Sequence, residues 1–534
     1  MDFLKDITPR DYQQKILGSC IEKNCLVVLP TGLGKTLIAL MLAIERMKKF
    51  PGEKVLLLAP TRPLAEQHLN FFTAHLSDLF GDLQLFTGSV KADQRKKIWK
   101  TADIIFSTPQ CIANDLKKRL YDLSDVCLLV EDEAHRCMKN YDYTYVAQKY
   151  KETAQHPRIL GLTASPGSEV SKIKEICKNL FIEEVELRTR ESEDVKHNLQ
   201  EREFEKVIVE LPQEIEEMRR MMKQVNDIYI DELKSRHLLF DAPTKTNLIF
   251  LQKRIMNSLS KGNKNFNVMK GASSCASAIK LQHAIELLET QTLKGFHDYL
   301  ADLFDQAAKM KSKGVQQLMK RPEMNLAFIR SAELLKKGME HPKISKLAEI
   351  VELEKAKNPS AKIIVFSQFR DTALQISKTL NKISGITAGV FIGQAKKKGE
   401  GLSQKEQKRM IVDFSSGELN VLCATSIGEE GLDIPEVSVV IFYEPVASAI
   451  RTIQRAGRTA RLKPGKLMIM ITKATRDESF YYVSRAREKK MQTAITSIKK
   501  DMTNGIDIFS EQEAEKQESL ESFKDKQTTL DKLD

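Results

Sequence analysis

The chain has 534 residues, enough for about three domains, with 42% hydrophobic residues, a formal net charge of +12 and a pI near 9.0. No apolar run approaches the roughly 18 to 20 residues that span a membrane, and the mild excess of cations favours a polyanionic partner. Eight cysteines without a C-x-x-C pair argue against a disulfide framework, a zinc ribbon and a four-cysteine iron–sulfur cluster. Met1 to Thr8 carries two Asp and no long apolar core, unlike a signal peptide, so an intracellular location is expected, cytoplasmic or nucleoid, nuclear if the source is eukaryotic.

Strand-like runs alternate with helical segments from the start to about residue 190. The apolar run Cys25 to Leu29 breaks at Pro30 and Gly32, and Thr36 to Met47 has helical spacing, which reads as strand, tight turn, helix. Gly32 and Gly34 let backbone N–H groups turn toward phosphate oxygens, and the helix N-terminus adds free donors. Lys35 is then placed to reach the β- and γ-phosphates, and the Thr36 hydroxyl to hold Mg²⁺. Leu29 stands where the general phosphate-loop pattern asks for glycine, so PTGLGKT fits a helicase variant of that loop.

Further strands are expected at Val55 to Ala59, Ile104 to Ser107, Leu128 to Val130 and Ile159 to Leu162, and the alternation with helices implies a parallel sheet. The third of these runs into Glu131, Asp132, Glu133, Ala134 and His135. Carboxylates at the carboxyl end of a buried strand stand where open α/β sheets bind ligands. Asp132 can coordinate Mg²⁺ through water, and Glu133 can orient or deprotonate an attacking water. His135 has no second histidine at ligand spacing, which favours a coupling role over metal binding.

From about Leu211 to Glu340 strand signals vanish, and Ile215, Met218, Met222, Val225 and Tyr229 repeat at the spacing of an amphipathic helix within a bundle. Its basic residues, Lys261, Lys264 and Lys270 among them, read either as solvated surface or as a grip on nucleic acid. A second alternating set begins near Lys362, with strands at Ile363 to Ser367, Val390 to Ile392, Val421 to Ala424, Val439 to Tyr443 and Leu467 to Thr472. Within it QRAGRTAR, Gln454 to Arg461, sets Arg455, Arg458 and Arg461 along one side of a helix. An arginine inserted at a γ-phosphate accelerates its transfer by about 10³ to 10⁵. Lys396 to Lys398 reads as a solvated loop, and residues 505–534 as a charged tail poor in large apolar side chains.

Taken in order, Arg10-Tyr12-Gln13, GLGKT, APTRPLAEQH from Ala59, Thr87-Gly88, Thr108-Pro109-Gln110, DEAH, Thr163-Ala164-Ser165, Val365 to Arg370, Ala424 to Pro435 and QRAGRTAR form a series. That series resembles superfamily 2 helicases, and within them the archaeal Hef helicase and its eukaryotic relative FANCM. Asn140-Tyr141, Gly393-Gln394-Ala395, GLSQKEQ from Gly401 and TRDES from Thr475 carry the same likeness. The resemblance implies an α/β fold of two RecA-like parallel-sheet lobes, 1–190 and 345–500, separated by a thumb-like, DNA-gripping helical insertion at 200–340. It implies ATP and Mg²⁺ as cofactors, with Arg10, Gln13, Thr31, Gly32, Leu33, Gly34, Lys35, Thr36 and Asp433 around the nucleotide. Lys35, Asp132 and Glu133 with Gln454, Arg458 and Arg461 from the second lobe would be catalytic, and Thr36 and Asp132 would hold the metal. Thr61, Arg62, Thr108 and Thr425 would hold the nucleic-acid backbone, joined by Lys261, Lys264 and Lys270, and His135, Thr163 and Ser165 would couple the sites.

By the same resemblance the substrate is forked or branched DNA, moved 3′-to-5′ by a monomer without nuclease activity. Ala456 and Ala460 in QRAGRTAR depart from the family pattern, which usually carries Arg and Gly there. Gln527 to Leu533 resembles a degenerate peptide for the sliding clamp PCNA, without its closing aromatics. Two other readings stand beside this one: a double-stranded-RNA-stimulated ATPase of the RIG-I or Dicer type, and a non-enzymatic scaffold for branched DNA.

Overall fold

The structure is a computed structural model that describes residues 3–77, 81–139, 141–190, 192–196, 202–262, 265–310, 312–393, 401–428, 434–457 and 464–504. In the first lobe β1 (Cys25–Val28), β2 (Lys54–Leu58), β3 (Leu83–Phe86), β4 (Ile104–Ser107), β5 (Val126–Asp132), β6 (Ile159–Thr163) and β7 (Glu184–Leu187) form a parallel sheet in the order β3-β4-β2-β5-β6-β1-β7. Helices cover both faces, so both faces of each central strand need apolar side chains. In β1, Leu26 and Val28 enter one core cluster while Cys25 and Val27 enter the other. That division explains why β1 reads as a continuous apolar run and not as an alternation.

The second sheet is also parallel, in the order β10-β11-β9-β12-β13-β8, from β8 (Arg202–Val209), β9 (Ile363–Phe366), β10 (Ala388–Phe391), β11 (Val421–Ala424), β12 (Val439–Phe442) and β13 (Gly465–Thr472). Here the expected boundary shifts. Residues 202–209 fall inside the span assigned to the helical insertion, yet they form the edge strand beside β13, paired from Gly465↔Arg202 to Thr472↔Val209. Val207 and Val209 face the core while Phe204 and Ile208 are exposed, and the polar residues between them hide the strand from a search for apolar runs. The chain therefore enters the second sheet once, leaves for the bundle, and returns at β9.

The bundle's long helices are Gln213–Ser235, Lys245–Ser260, Phe266–Thr290, Leu293–Ala308 and Pro322–Lys336. Ile215, Met218, Met222 and Val225 are fully buried along the expected stripe, and Tyr229 packs partly buried against the same core. The base of the bundle is fastened to the second lobe by buried polar groups. The Lys343 ammonium pairs with Asp477 in the interior, and Tyr443 Oη donates to the Gln291 carbonyl at 2.8 Å. Thr372 Oγ1 donates to Gln291 Oε1 at 2.9 Å, and Gln291 Nε2 donates to Glu444 at 3.3 Å. Arg219 joins Glu289 at 2.8 Å and the Ala474 carbonyl at 2.6 Å. Buried polar groups cost little only when partnered, and these partners come from both bodies.

The helix Arg476–Thr503 starts in this network and ends elsewhere. Met491, Ala494, Ile495 and Ile498 are buried in a core cluster of the first lobe, so the segment expected to close the second lobe belongs at its far end to the first.

Candidate nucleotide and nucleic-acid site

The turn after β1 leaves Gly32 at φ +85° and Gly34 at φ +75°, backbone that side chains with a Cβ rarely adopt, and Gly34 caps the helix Lys35–Lys49. A Cβ on Gly34 would overlap the Gln13 amide. That closeness is the loop's bracing: Tyr12 Oη donates to the Leu33 carbonyl at 2.8 Å and Gln13 Nε2 donates to the same oxygen at 3.1 Å. Gln13 Oε1 in turn accepts from the Arg10 backbone at 2.9 Å. Expected around the nucleotide, Gln13 here is buried against the back of the phosphate loop. Lys35 Nζ donates to the Leu29 carbonyl at 2.9 Å across the loop, and Thr36 is the second residue of the helix, partly exposed beside it.

Asp132 ends β5, its carboxylate at 2.8 Å from His68 Nε2 and its carbonyl accepting from Tyr143 Oη at 2.6 Å. Burial raises the Asp132 carboxyl, but the His68 ring and the Lys35 ammonium outweigh it and hold the group below the usual carboxylate range. Glu133 sits at φ +52°, a left-handed backbone that is costly for a residue with a side chain and concentrates at functional sites. Its carboxylate lies 3.3 Å from His135 Nδ1, which lies 3.2 Å from Thr163 Oγ1. Thr163 Oγ1 bonds Ser165 through the backbone, and Ser165 Oγ reaches Met491 Sδ at 2.8 Å. The three residues expected to couple the sites thus form one chain from the Glu133 carboxylate to the helix Arg476–Thr503. Glu131, next to Asp132 on β5, is fully buried, and burial pushes its carboxyl well above the usual range.

Thr36 and Asp132 offer only oxygen, and among the described residues no three His, Cys, Asp or Glu cluster as for zinc. Two oxygen ligands with the rest left to water and phosphate is the donor set that suits Mg²⁺.

From the second lobe the helix Ala449–Ala456 points at the phosphate loop, and a Cβ on Gly457 would overlap Thr31. Gln454 is buried close by. Arg455 does not share an exposed face: it is fully buried, with its guanidinium 5.2 Å from the Phe366 ring centroid and 5.6 Å from that of Phe442. Ala456 lines a cavity of about 280 Å³ between the lobes, with Pro30, Thr31, Arg188 and Arg485 among the other walls. Arg458, Ala460, Arg461 and Asp433 lie outside the described residues, as do Asn140, Lys264, Lys396 to Lys398 and Gln527 to Leu533.

The backbone-gripping candidates stand at the carboxyl ends of other strands. Thr61 and exposed Arg62 open the helix Arg62–His75 after β2, Thr108 opens the helix Pro109–Lys117 after β4, and buried Thr425 follows β11. The candidates for phosphate chemistry thus follow β1, β5 and β6, and the candidate grips follow β2, β4 and β11. One residue crosses between them. His68 lies on the helix that Thr61 caps, buried in line with Ala65 and Phe72, yet touches the metal-side carboxylate. The sequence carried a signal for it, a histidine on the apolar face of that helix. Glu66 on the same helix pairs with Lys408 of the second lobe at 3.1 Å. Lys261 is exposed at the end of its helix, whereas Lys270 lies 3.9 Å from Glu232.

Two parallel-sheet lobes meeting at a phosphate loop, with candidate polar residues at the carboxyl ends of the strands, define the two-lobed helicase class. Comparison with known proteins agrees: the DEAD/DEAH box helicase family matches residues 10–176, the helicase conserved C-terminal domain 342–463, and a helical-bundle family named for RNA helicases 206–338. MJ1505 of Methanocaldococcus jannaschii, named for RNA helicase activity, is 39% identical over 502 residues, covering 92% of this chain and 61% of that protein. The ATP-dependent DNA helicase mph1 of Neurospora crassa is 33% identical over 485 residues, covering 88% of this chain and 41% of its own length. The crystal structure of the Pyrococcus furiosus Hef helicase domain matches with TM-score 0.68 and 43% identity, covering 89% of this chain and 98% of that one. The chain belongs to the Hef/FANCM family of helicases, and it spans 61% and 41% of the two longer relatives.

Proposed function

We propose that this chain is an ATP-dependent DNA helicase or translocase that works on forked or branched DNA, as in fork or Holliday-junction processing and repair, moving 3′-to-5′ as an intracellular monomer. The observation that carries this reading is the division of one sheet between phosphate chemistry and nucleic-acid grips, with His68 bridging the two. The loop amides and Lys35 bind the triphosphate; Thr36 and Asp132 would hold Mg²⁺, which would supply charge neutralisation across the β- and γ-oxygens. Glu133 accepts the proton of the attacking water. Gln454, Arg458 and Arg461 complete the site from the second lobe when the cleft closes. Because Thr61, Arg62 and Thr108 grip from one lobe and Thr425 from the other, each closure shifts one grip relative to the other, and the strand advances.

The test is the ATPase rate of wild type and Lys35→Ala with no nucleic acid, forked DNA, linear duplex DNA and double-stranded RNA. Forked DNA should stimulate most, and Lys35→Ala should abolish turnover. The names of MJ1505 and of the helical-bundle family favour RNA as a second reading; stimulation by RNA and not by forks would replace DNA with it. Turnover that survives Lys35→Ala would leave only the scaffold reading. No metal-dependent strand cleavage is expected. Clamp binding through Gln527 to Leu533 is tested by deleting those residues, which should weaken PCNA pull-down.

A further inference from the structure

Residues 242 to 285 contain no Asp or Glu and seven Lys or Arg. The segment folds into the antiparallel hairpin of helices Lys245–Ser260 and Phe266–Thr290. Its inner face is an ordinary small core: Leu248, Leu251 and Ile255 pack with Cys275 and Ala278. The outer face is not an ordinary surface. Ile249, Phe250 and Met256 are exposed there between Lys253 and Arg254, and the tip adds Lys261, Phe266 and Met269. Phe250 is 60% exposed and Phe266 is 75% exposed. Among the described residues Lys253, Arg254 and Lys261 have no carboxylate within ion-pair distance, whereas Lys245 is held by Glu286 at 2.6 Å. The Lys253 ammonium lies 6.0 Å from the Phe250 ring centroid, so cation and aromatic form one surface.

We propose that this outer face binds an unpaired DNA strand, with Phe250 and Phe266 stacking on bases and Lys253, Arg254 and Lys261 on the phosphates between them. The inference rests on the reading that the chain acts on DNA and narrows it to one structural form. A duplex presents phosphates and keeps its bases stacked inside, so it would use the cations and leave the apolar residues in water. A separated strand presents both, and base-on-aromatic stacking beside cations is how single strands are held. A second copy of the same face is disfavoured by charge, since Lys253, Arg254 and Lys261 would meet the same three cations.

The experiment compares two junctions of equal length, one with an unpaired arm and one with every arm paired, by fluorescence anisotropy over a salt series, with 2-aminopurine in the unpaired arm. Phe250→Ala with Phe266→Ala should weaken the open-armed junction about tenfold or more, abolish the 2-aminopurine quench, and leave the paired junction and the salt slope within error. Lys253→Gln with Arg254→Gln should flatten the salt slope by about two. All four positions are exposed and remote from the nucleotide site, so ATPase without DNA should stay at the wild-type level and report folding. Equal loss on both junctions, no loss on either, or a change of oligomeric state by light scattering in the aromatic variant would overturn the inference. Wild-type protein that fails to bind either junction would instead overturn the DNA reading beneath it.

Discussion

The strands of the first sheet come from one uninterrupted stretch of chain, whereas the second sheet is assembled from pieces, with its edge strand β8 separated from β9 by the whole helical bundle. Both ends of the bundle therefore leave from and return to the second sheet, and the Lys343–Asp477 pair and Gln291 fasten its base there. What looks in sequence like a domain between two lobes is mechanically an outgrowth of one of them. On the proposed cycle, a stroke of the second lobe would carry the bundle with it, while the first lobe would hold the phosphate loop and its candidate grips still.

The largest effect should come from breaking that fastening. Lys343→Ala leaves Asp477 buried without its cation and should cost about 3 to 5 kcal/mol. Hydrogen exchange should show the base of the bundle and the second lobe opening while the first lobe keeps its protection; uniform loss in both lobes would contradict the split described above. Next is the contact between lobes. Gly457→Ala puts a methyl into Thr31 and should slow ATP turnover by about 10²-fold with thermal stability nearly unchanged.

A smaller effect is expected inside the first lobe. His68→Ala loosens Asp132 and should weaken Mn²⁺ binding in the presence of ATP, read by electron paramagnetic resonance, by about tenfold. DNA stimulation of turnover should fall in step, and His68→Asn should restore part of both. Unchanged Mn²⁺ affinity would remove His68 from the site.

The smallest concerns Glu444, where burial, opposed by Arg455 and Lys343, pushes the carboxyl up to about 7. A carboxyl raised by folding contributes fully below the unfolded pKa, and that contribution is lost as pH rises through the folded one. Wild type should therefore lose stability between about pH 5 and pH 8. Glu444→Gln should flatten that fall by a few degrees of Tm, and parallel profiles would dismiss the group as its source.

The same contrast governs what could be read before folding was known. The central strands of the first lobe were legible because they are apolar on both faces and the candidate chemistry follows them directly, as Leu29 leads to Lys35 and Val130 to Asp132 and Glu133. The edges hid more: β3 (LQLF) and β7 (EVEL) of the first sheet were not expected, nor was β8 of the second. β8 alternates exposed and buried residues at a sheet edge, so REFEKVIV lacks the continuous run that marked the central strands. Spacing alone placed Arg455 on a side with Arg458 and Arg461, yet Arg455 is buried over Phe366 and Phe442. Periodicity reports which residues share a face, not which face meets the ligand. His68 escaped for another reason: its partner Asp132 is 64 positions away, and only the adjacency of β2 and β5 brings them together.

The helix Arg476–Thr503 has a consequence for kinetics. Rooted in the second lobe and buried at Met491 to Ile498 in the first, it acts as a pivot of fixed length. On the proposed cycle the cleft would rotate about it without drifting apart, so Gly457 would meet the phosphate loop at a high effective concentration each time. Closure would then need no search, and turnover would follow how fast the pivot turns or products leave, not how fast two lobes find one another.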